Sequence, residues 1–252
     1  MTLRGVLLPI AVVALVLGIW EGAVRWGGVP AYLLPTPSRI AMTFWDHLGL
    51  LAHHAGATAA AIALGLLAAT GAGLALAAAM AASPTFERAA APFLVGSQML
   101  PVFAVAPLLV VWLGYGLLPK ALVAALVAFF PIAIGARDGL RQASGETKDL
   151  LRSMGASRRQ TFVNLLFPAS LPAVFSSLKV AATLCVVGAT IGEWVGARRG
   201  LGFLMLEANA RLRVDLVFAS ILFLALVALS LFGALRIIER RLLHWRDGGT
   251  RG

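Results

Sequence analysis

Long apolar runs separated by short polar segments dominate the hydrophobic pattern of this chain. A helix that crosses a bilayer needs about 20 mostly apolar residues, so each run is a candidate membrane span. The predicted spans are 6–24, 57–82, 93–113, 121–136, 172–191 and 214–238. The pattern therefore predicts an all-α membrane protein with six transmembrane helices, in which residues 1–252 form a single transmembrane domain.

The first apolar run has two interpretations. It resembles a signal peptide with Arg4 as the basic start, but no clear cleavage site of small residues follows it. Trp20 and Trp26 suit the aromatic belt at a membrane interface. We therefore expect a span that is retained in the mature protein.

Small residues and prolines indicate how the spans pack. Gly65, Ala69 and Gly73 repeat every four residues, which is typical of a helix face that packs closely against another helix. Pro101 and Pro107 interrupt the third run. Prolines inside spans are tolerated where neighbouring helices or a cavity satisfy the freed carbonyls. They indicate either bent helices around a transport pathway or ordinary packing kinks.

The composition supports a membrane protein and narrows its chemistry. The chain is 60% hydrophobic and 13% charged, whereas soluble domains are about 25% charged. Its net charge of +10 does not indicate nucleic-acid binding, because the basic residues lie between apolar runs and form no single patch with aromatic residues. The single cysteine, Cys185, excludes an intrachain disulfide, and we expect it to be a small buried hydrophobe.

The distribution of basic residues predicts the orientation. Six spans place both termini on one side of the membrane, and most Lys and Arg residues outside the spans lie on that side. Cytoplasmic segments are enriched in these residues. The termini and the connection 137–170 are therefore predicted to be cytoplasmic. The loop from Arg198 to Arg213 is an exception, since its arginines fall on the opposite side.

The segment between the first two spans predicts a helix at the outer interface. Ser38 follows an extended Pro-Thr-Pro stretch and is expected to cap this helix, whose apolar face includes Phe44. His47, His53 and His54 follow the helix. No carboxylate or cysteine joins them at the spacing of metal ligands, so we expect solvated histidines and no metal site.

The connection 137–170 contains the basic segment RSMGASRRQTFVNLLFP, whose pattern predicts two short helices around a tight corner. The first helix is 146–154, and Gly155 then suits the position after a helix end where φ is positive. Ser157 and Gln160 have the spacing of a capping box at the start of the second helix. Pro168 is expected to end that helix.

The two short helices present an apolar surface with a basic rim. Leu150, Leu151 and Met154 lie on one side of the first helix, and Phe162 and Leu165 lie on one side of the second. A membrane protein does not need such an element in order to span the bilayer. The element is either an interfacial helix pair on anionic lipid or a docking element whose apolar face enters a groove of a cytoplasmic partner.

This segment resembles the cytoplasmic signature of permease subunits of binding-protein-dependent ABC importers. The signature is E-A-A, three residues, Gly, nine residues and I-x-L-P, and its spacing is kept here from Asp149-Leu150-Leu151 through Gly155 to Pro168. The segments LLPTPSRI, MLPVFAVAPLLVVWLGYG and GEWVGARRGLGFLMLEANA resemble the nitrate, sulfonate and taurine group of these permeases. Within that group the chain is most similar to permeases for thiamine-precursor pyrimidines, and riboflavin permeases are very similar to it.

The resemblance implies an ABC type I importer permease fold in a bacterial cytoplasmic membrane. It also implies a permease homodimer, a cytoplasmic ATP-binding subunit and an extracytoplasmic solute-binding protein. The sequence has no G-x-x-x-x-G-K-[ST] motif, so we expect no cofactor and no enzymatic site in this chain, with ATP and Mg on the partner. The residues expected at the ATPase-coupling surface are Asp149, Leu150, Leu151, Met154, Gly155, Ala156, Ser157, Arg158, Phe162, Leu165 and Pro168.

Polar or aromatic residues in or beside the spans are candidates to line the transport pathway. They are Gln98, Trp112, Glu193, Trp194 and Asn209. Tryptophans near span ends more often belong to the interfacial belt than to a pathway. For Glu193 the alternative to a pathway role is a structural role. Lys179, by contrast, is expected to extend its ammonium group to the cytoplasmic interface.

Several alternatives to pyrimidine import stay open. The same machinery would also suit a sulfonate, taurine, nitrate or riboflavin. An ion-coupled secondary transporter is the alternative of another class, but no carboxylate lies in the middle of a predicted span. A membrane-embedded enzyme would need polar residues grouped on span faces, and all four histidines lie outside the predicted spans.

Overall fold

The computed structural model describes residues 3–142 and 145–244, with side chains for all of these except 3–6, 145, 146 and 158. Over this part of the chain the structure is helical and contains no strand, in agreement with the predicted fold class. The helices are α1 (Leu3–Trp26), α2 (Pro37–Asp46), α3 (Leu48–Ala82), α4 (Pro84–Ser97), α5 (Val102–Leu113), α6 (Leu117–Arg141), α7 (Gly145–Ser153), α8 (Arg158–Thr161), a π-helix (Phe162–Leu166), α9 (Phe167–Gly196), α10 (Leu201–Ala210) and α11 (Val214–Leu242).

Among the described residues, five helices are long and apolar enough to cross a membrane, namely α1, α3, α6, α9 and α11. α4 and α5 meet the same criterion together, but they are bent by 94° at the break between them. α4 begins beside the last turn of α6, where Glu87 pairs with Arg141 at 2.6 Å. α5 packs its Ala106 against Val123 near the start of α6. The bent pair therefore runs from one end of α6 to the other and makes the sixth crossing.

The predicted span 93–113 consists of parts of two helices, which favours the bent-helix interpretation of its prolines over ordinary packing kinks. α4 ends at Ser97, and Pro101 precedes α5 in an extended conformation with ψ of 112°. A proline has no N–H to continue a helix, and it disfavours the helical conformation of the residue before it. Pro107 and Pro131 are accommodated inside α5 and α6, so only one of these prolines marks a break.

The other predicted spans are helices, with longer bounds than the apolar runs suggested. α3 begins at Leu48 and not near 57, which places His53 and His54 inside a membrane-spanning helix and not in a solvated loop. The connection 137–170 is shorter than predicted, because α6 continues to Arg141 and α9 begins before Pro168. A helix continues through polar residues whenever its backbone groups remain paired, so an apolar run marks only its minimum length.

The prediction for Cys185 is confirmed, whereas the prediction for Lys179 is wrong. Cys185 is buried as expected, with its Sγ 3.4 Å from the carbonyl oxygen of Ile62. Lys179 was expected to extend to the interface, but its Nζ donates to the Glu239 carboxylate on α11 at 2.8 Å. Pairing within the bundle compensates an ammonium group that leaves water, so this lysine joins α9 to α11.

The helix at the outer interface exists, but its cap is not Ser38. The Thr36 side chain accepts a hydrogen bond from the Arg39 N–H at 3.3 Å, and Pro37 occupies the first helical position. Proline is favoured there because its φ already suits a helix, which moves the cap to the residue before it. The Ser38 hydroxyl instead donates to the Glu21 carboxylate at 2.7 Å and joins α2 to α1.

The bundle has two ends, which we name by the short helices they carry. At the α10 end lie α10, α2 and the first residues of α3, α6 and α11, and there Arg39 of α2 pairs with Asp215 of α11 at 3.4 Å. At the α7 end lie α7, α8 and the last turns of α3, α6 and α11. The positive-inside bias predicts that the α7 end is cytoplasmic.

α6 lies between α3 and α9 and approaches both at backbone distance. A Cβ placed on Gly65 of α3 would lie 2.7 Å from the Cβ of Ala124, and one on Gly188 of α9 would lie 2.8 Å from the Cα of the same residue. A Cβ placed on Gly73 of α3 would likewise lie too close to the side chain of Ile132, farther along α6. The predicted close-packing face of α3 is therefore confirmed, and a core of small residues surrounds it.

We expect Gly65→Ala to lower the thermal stability of the detergent-solubilised protein. The added methyl group has no room against α6, and overpacking of this kind costs about 1–3 kcal/mol. Gly71→Ala on the same helix is the matched control, because nothing lies within 4 Å of its Cβ position. Equal unfolding temperatures for the two variants in a thermal unfolding assay would contradict the close-packing interpretation.

Candidate functional site

The predicted corner between α7 and α8 is present. Gly155 has φ of +80°, its N–H donates to the Arg152 carbonyl at 2.9 Å, and the Ala156 N–H donates to the Leu151 carbonyl at 3.0 Å. These two hydrogen bonds form a Schellman motif, in which the residue after the helix end takes a left-handed conformation. The prediction of a positive φ at Gly155 is confirmed.

The second helix starts with the predicted capping box. The Gln160 N–H donates to the Ser157 hydroxyl at 3.3 Å, and the Ser157 N–H donates to the Gln160 side-chain oxygen at 2.8 Å. Each residue thus satisfies a free N–H of the other. The corner is consequently held by backbone and capping hydrogen bonds within a few residues.

Pro168 does not end the second helix, contrary to the prediction. The helix continues from α8 through the π-helix into α9, and the Phe167 N–H donates to the Phe162 carbonyl five residues earlier. A π turn shifts the hydrogen-bond register, so Pro168 falls in the first turn of α9, where its missing N–H costs little. The second part of the predicted coupling segment, from α8 onward, is therefore continuous with a membrane-spanning helix.

The predicted coupling residues divide into an exposed and a packed group. Leu150 is 59% exposed and Met154 is 74% exposed, although both are apolar. Phe162 is half-buried and packs toward Ala77 and Leu140 of its own bundle. Among the others, Leu151, Ala156, Leu165 and Pro168 are half-buried and Asp149, Gly155 and Ser157 are exposed, while the Arg158 side chain lies outside the described part of the structure. The free apolar surface is thus centred on Leu150 and Met154.

The predicted pathway residues do not form one site within a single chain. Gln98 lies at the break between α4 and α5, Trp112 is exposed on α5, and Asn209 is exposed near the end of α10. Trp194 is half-exposed on α9, with its ring centroid 6.1 Å from that of Phe103. Only Glu193 and Trp194 border the same cavity, of about 610 Å³.

Glu193 is a structural residue that holds the start of α10. It is 1% exposed, and its carboxylate accepts hydrogen bonds from the Thr58 hydroxyl at 2.8 Å and from the Gly202 N–H at 2.7 Å. The Thr58 hydroxyl in turn accepts from the Leu201 N–H at 2.8 Å. An anionic group is favoured at a helix N-terminus because the first N–H groups are free there.

His54 completes this buried network, although it was predicted to be solvated. Its Nδ1 lies 3.0 Å from the carbonyl oxygen of Gly200, and its ring stacks on Phe203 with an interplanar angle of 11°. The sequence did contain a signal for this contact. His54 and Thr58 are four residues apart within one helix, so both polar groups face the same neighbour.

Comparison with known proteins agrees with the resemblance drawn from the motifs. The sequence matches the family described as "Binding-protein-dependent transport system inner membrane component" over residues 61–244. The formylaminopyrimidine transport permease protein ThiX of Halalkalibacterium halodurans is 39% identical, over 90% of this chain and 91% of its own length. A probable ABC transporter permease protein of Haemophilus influenzae is 38% identical, over 89% and 91%. The riboflavin transport system permease protein RibX of Chloroflexus aurantiacus is 37% identical, over 94% and 89%.

The chain therefore belongs to the binding-protein-dependent family of inner membrane transport components. It is a permease subunit of an ABC transporter, with the type I permease fold, in the inner membrane of a bacterium. Membership of this family implies an ATP-binding subunit and a solute-binding protein as partners.

We expect Glu193→Leu to destabilise the folded permease. Leucine leaves the buried Gly202 N–H without its acceptor, which costs about 1–3 kcal/mol, and removes the shorter of the two hydrogen bonds available to the Thr58 hydroxyl. Glu207→Leu is the control, since the Glu207 carboxylate pairs with the exposed Arg211 and accepts no hydrogen bond from the start of α10 among the described residues. Thermal unfolding in detergent measures the difference, and a Glu193→Leu protein as stable as the control would contradict the role of Glu193 as a clamp.

Proposed function

We propose that this permease acts as a pair of identical copies that open alternately to the two sides of the membrane, driven by a cytoplasmic ATP-binding subunit. ATP and Mg bind to that subunit and not to this chain, which has no phosphate-binding motif. The solute is delivered by an extracytoplasmic binding protein. The continuity of the coupling segment with a membrane-spanning helix is the observation that carries this proposal.

The segment from α7 to α8 supplies the contact with the ATP-binding subunit. It offers Leu150 and Met154 as exposed apolar residues, with the exposed Arg152 and Arg159 beside them. An apolar helix face with a basic rim fits a groove that has apolar walls and acidic edges. The half-buried Phe162 instead contributes to the internal packing that connects the corner to the bundle.

The solute is a thiamine-precursor pyrimidine. The identity of 39% with a permease named for formylaminopyrimidine, over nine-tenths of both chains, supports this choice. A riboflavin permease at 37% is the second candidate, because the two identities differ little. Both solutes are small heteroaromatic compounds, so a pathway built for one resembles a pathway built for the other.

Uptake in whole cells distinguishes these solutes. We expect cells that lack other pyrimidine uptake, and that co-express the chain with its ATP-binding and solute-binding partners, to accumulate a radiolabelled pyrimidine that is supplied as hydroxymethylpyrimidine or as its phosphate monoester. Unlabelled pyrimidine should compete, whereas riboflavin and taurine should not. Accumulation of radiolabelled riboflavin and no accumulation of pyrimidine would replace the proposed solute with riboflavin.

We expect Gly155→Val to lower uptake about tenfold, because a left-handed conformation costs roughly 1–2 kcal/mol for residues with a Cβ. Nothing lies within 4 Å of the Gly155 Cβ position, so the effect is one of backbone conformation and not of crowding. Gly155→Asn is the matched control, since asparagine tolerates this conformation.

Uptake and co-purification with the ATP-binding subunit are measured at equal membrane levels of the two variants. Unchanged uptake and an intact complex in Gly155→Val would remove the corner from the coupling mechanism.

A further inference from the structure

A basic cleft of about 810 Å³ lies at the α10 end, on the side of the bundle away from the coupling segment. Its walls come from α3, the turn before α6, the first turns of α6 and the segment after α9. No Asp or Glu is among the described residues that line it. Clefts of about 300–1,000 Å³ are typical of sites for small molecules. The polar residues of the lining are His53, Tyr115, Lys120, Arg198 and Arg199.

Lys120 is a buried cation whose hydrogen-bonding capacity is largely unused. It is 6% exposed, and its Nζ donates to the backbone carbonyl of Arg199 at 2.9 Å. An ammonium group has three N–H donors, so two have no acceptor among the described protein groups. The buried acid that acts on it electrostatically is Glu193, whose carboxylate is occupied by Thr58 and Gly202. A buried charge with an incomplete set of partners is costly unless a ligand completes it.

The two arginines of the cleft add positive charge that no carboxylate of the described residues neutralises. Within the part of the chain that the structure describes, neither Arg198 nor Arg199 forms an ion pair with a carboxylate. Both are exposed, and Arg199 places Nη2 at 2.8 Å from Nε2 of His53. Unpaired cations on the walls of a cleft focus the field and raise the local concentration of anions.

The start of α6 contributes to the same field. Gly116 precedes this helix and gives no side-chain cap, and the first turn contains no acidic residue. Gly116 and Leu117 both line the cleft. The free N–H groups at the beginning of a helix carry a partial positive charge that favours anions. Three independent sources of positive charge thus meet in one recess.

We propose that this cleft binds the oxyanion of a small solute, so that the compound imported by this permease carries a phosphate, sulfonate or carboxylate group. The assignment of that solute as cargo rests on the proposed transport function. Tyr115 is exposed in the cleft and offers a ring on which a heteroaromatic solute stacks. For the proposed pyrimidine, the matching compound is its phosphate monoester.

A small solute fits the cleft better than an acidic protein surface does. A protein surface reaches the exposed Arg198 and Arg199 but not the buried Lys120. A phosphate or sulfonate group is small enough to contact the ammonium group within the recess, and its oxygens accept several charge-assisted hydrogen bonds.

The test is calorimetric binding to the purified full-length permease in detergent, with hydroxymethylpyrimidine and its phosphate monoester as probes. We expect the ester to bind at least about tenfold more tightly than the neutral pyrimidine. One charge-assisted hydrogen bond that the neutral pyrimidine lacks is enough to produce this difference. Arg198→Gln combined with Arg199→Gln should remove most of that difference. Arg211→Gln combined with Arg213→Gln removes the same charge at the same end, outside the cleft, and should preserve it.

Equal affinity for the two probes overturns the proposal, as does an equal loss in the two double variants. Phosphatidylglycerol is added as a competitor to distinguish a solute site from a lipid headgroup site. If this lipid displaces the ester, the cleft is assigned to the headgroup. Loss of solute-binding-protein capture with unchanged ester affinity in the Arg198 and Arg199 variant assigns it to that protein. Binding needs no ATP-binding subunit, so retained ester binding without cellular uptake counts against the proposed cargo and not against the cleft.

Discussion

The backbone contact of α6 with α3 and α9 is the interaction on which the rest of the structure depends. Lipid chains are as apolar as leucine side chains, so helices in a bilayer gain little from burial and associate mainly through close van der Waals packing. Gly65 and Gly188 bring their backbones against the same residue of α6, Ala124. This contact holds three of the spans together, and both ends of the bundle take their positions from it.

α9 connects the two ends of the permease. From Arg159 in α8 to Gly196 beyond Glu193, the chain forms one helical stretch of 38 residues. At 1.5 Å per residue it is about 57 Å long. One end carries the corner built around Gly155, and the other carries the carboxylate that holds α10. The corner and the carboxylate that holds α10 therefore lie at opposite ends of one helical stretch.

Charge is used in three ways by this bundle. Lys179 and Glu239 pair with each other and join α9 to α11. The Glu193 carboxylate instead accepts hydrogen bonds from a hydroxyl group and from a backbone N–H at the start of α10. Lys120, Arg198 and Arg199 have no such carboxylate partner among the described residues and border an open cleft. The first two uses explain why polar groups persist inside an apolar bundle. The third is the one that we propose for binding the solute.

The sequence alone determined the class of fold, the number of crossings, the close-packing face of α3 and the corner at Gly155. These features depend on local chemistry: the length of apolar runs, the spacing of small residues, a glycine at positive φ and a reciprocal cap between Ser157 and Gln160. Only the tertiary structure decided that α4 and α5 are bent by 94°, that the helix continues past Pro168, and that His54, Thr58 and Glu193 meet. His54 and Glu193 are far apart in sequence, and each polar side chain in an apolar run admits many partners. The choice among those partners is made only when α6 brings its neighbouring helices together.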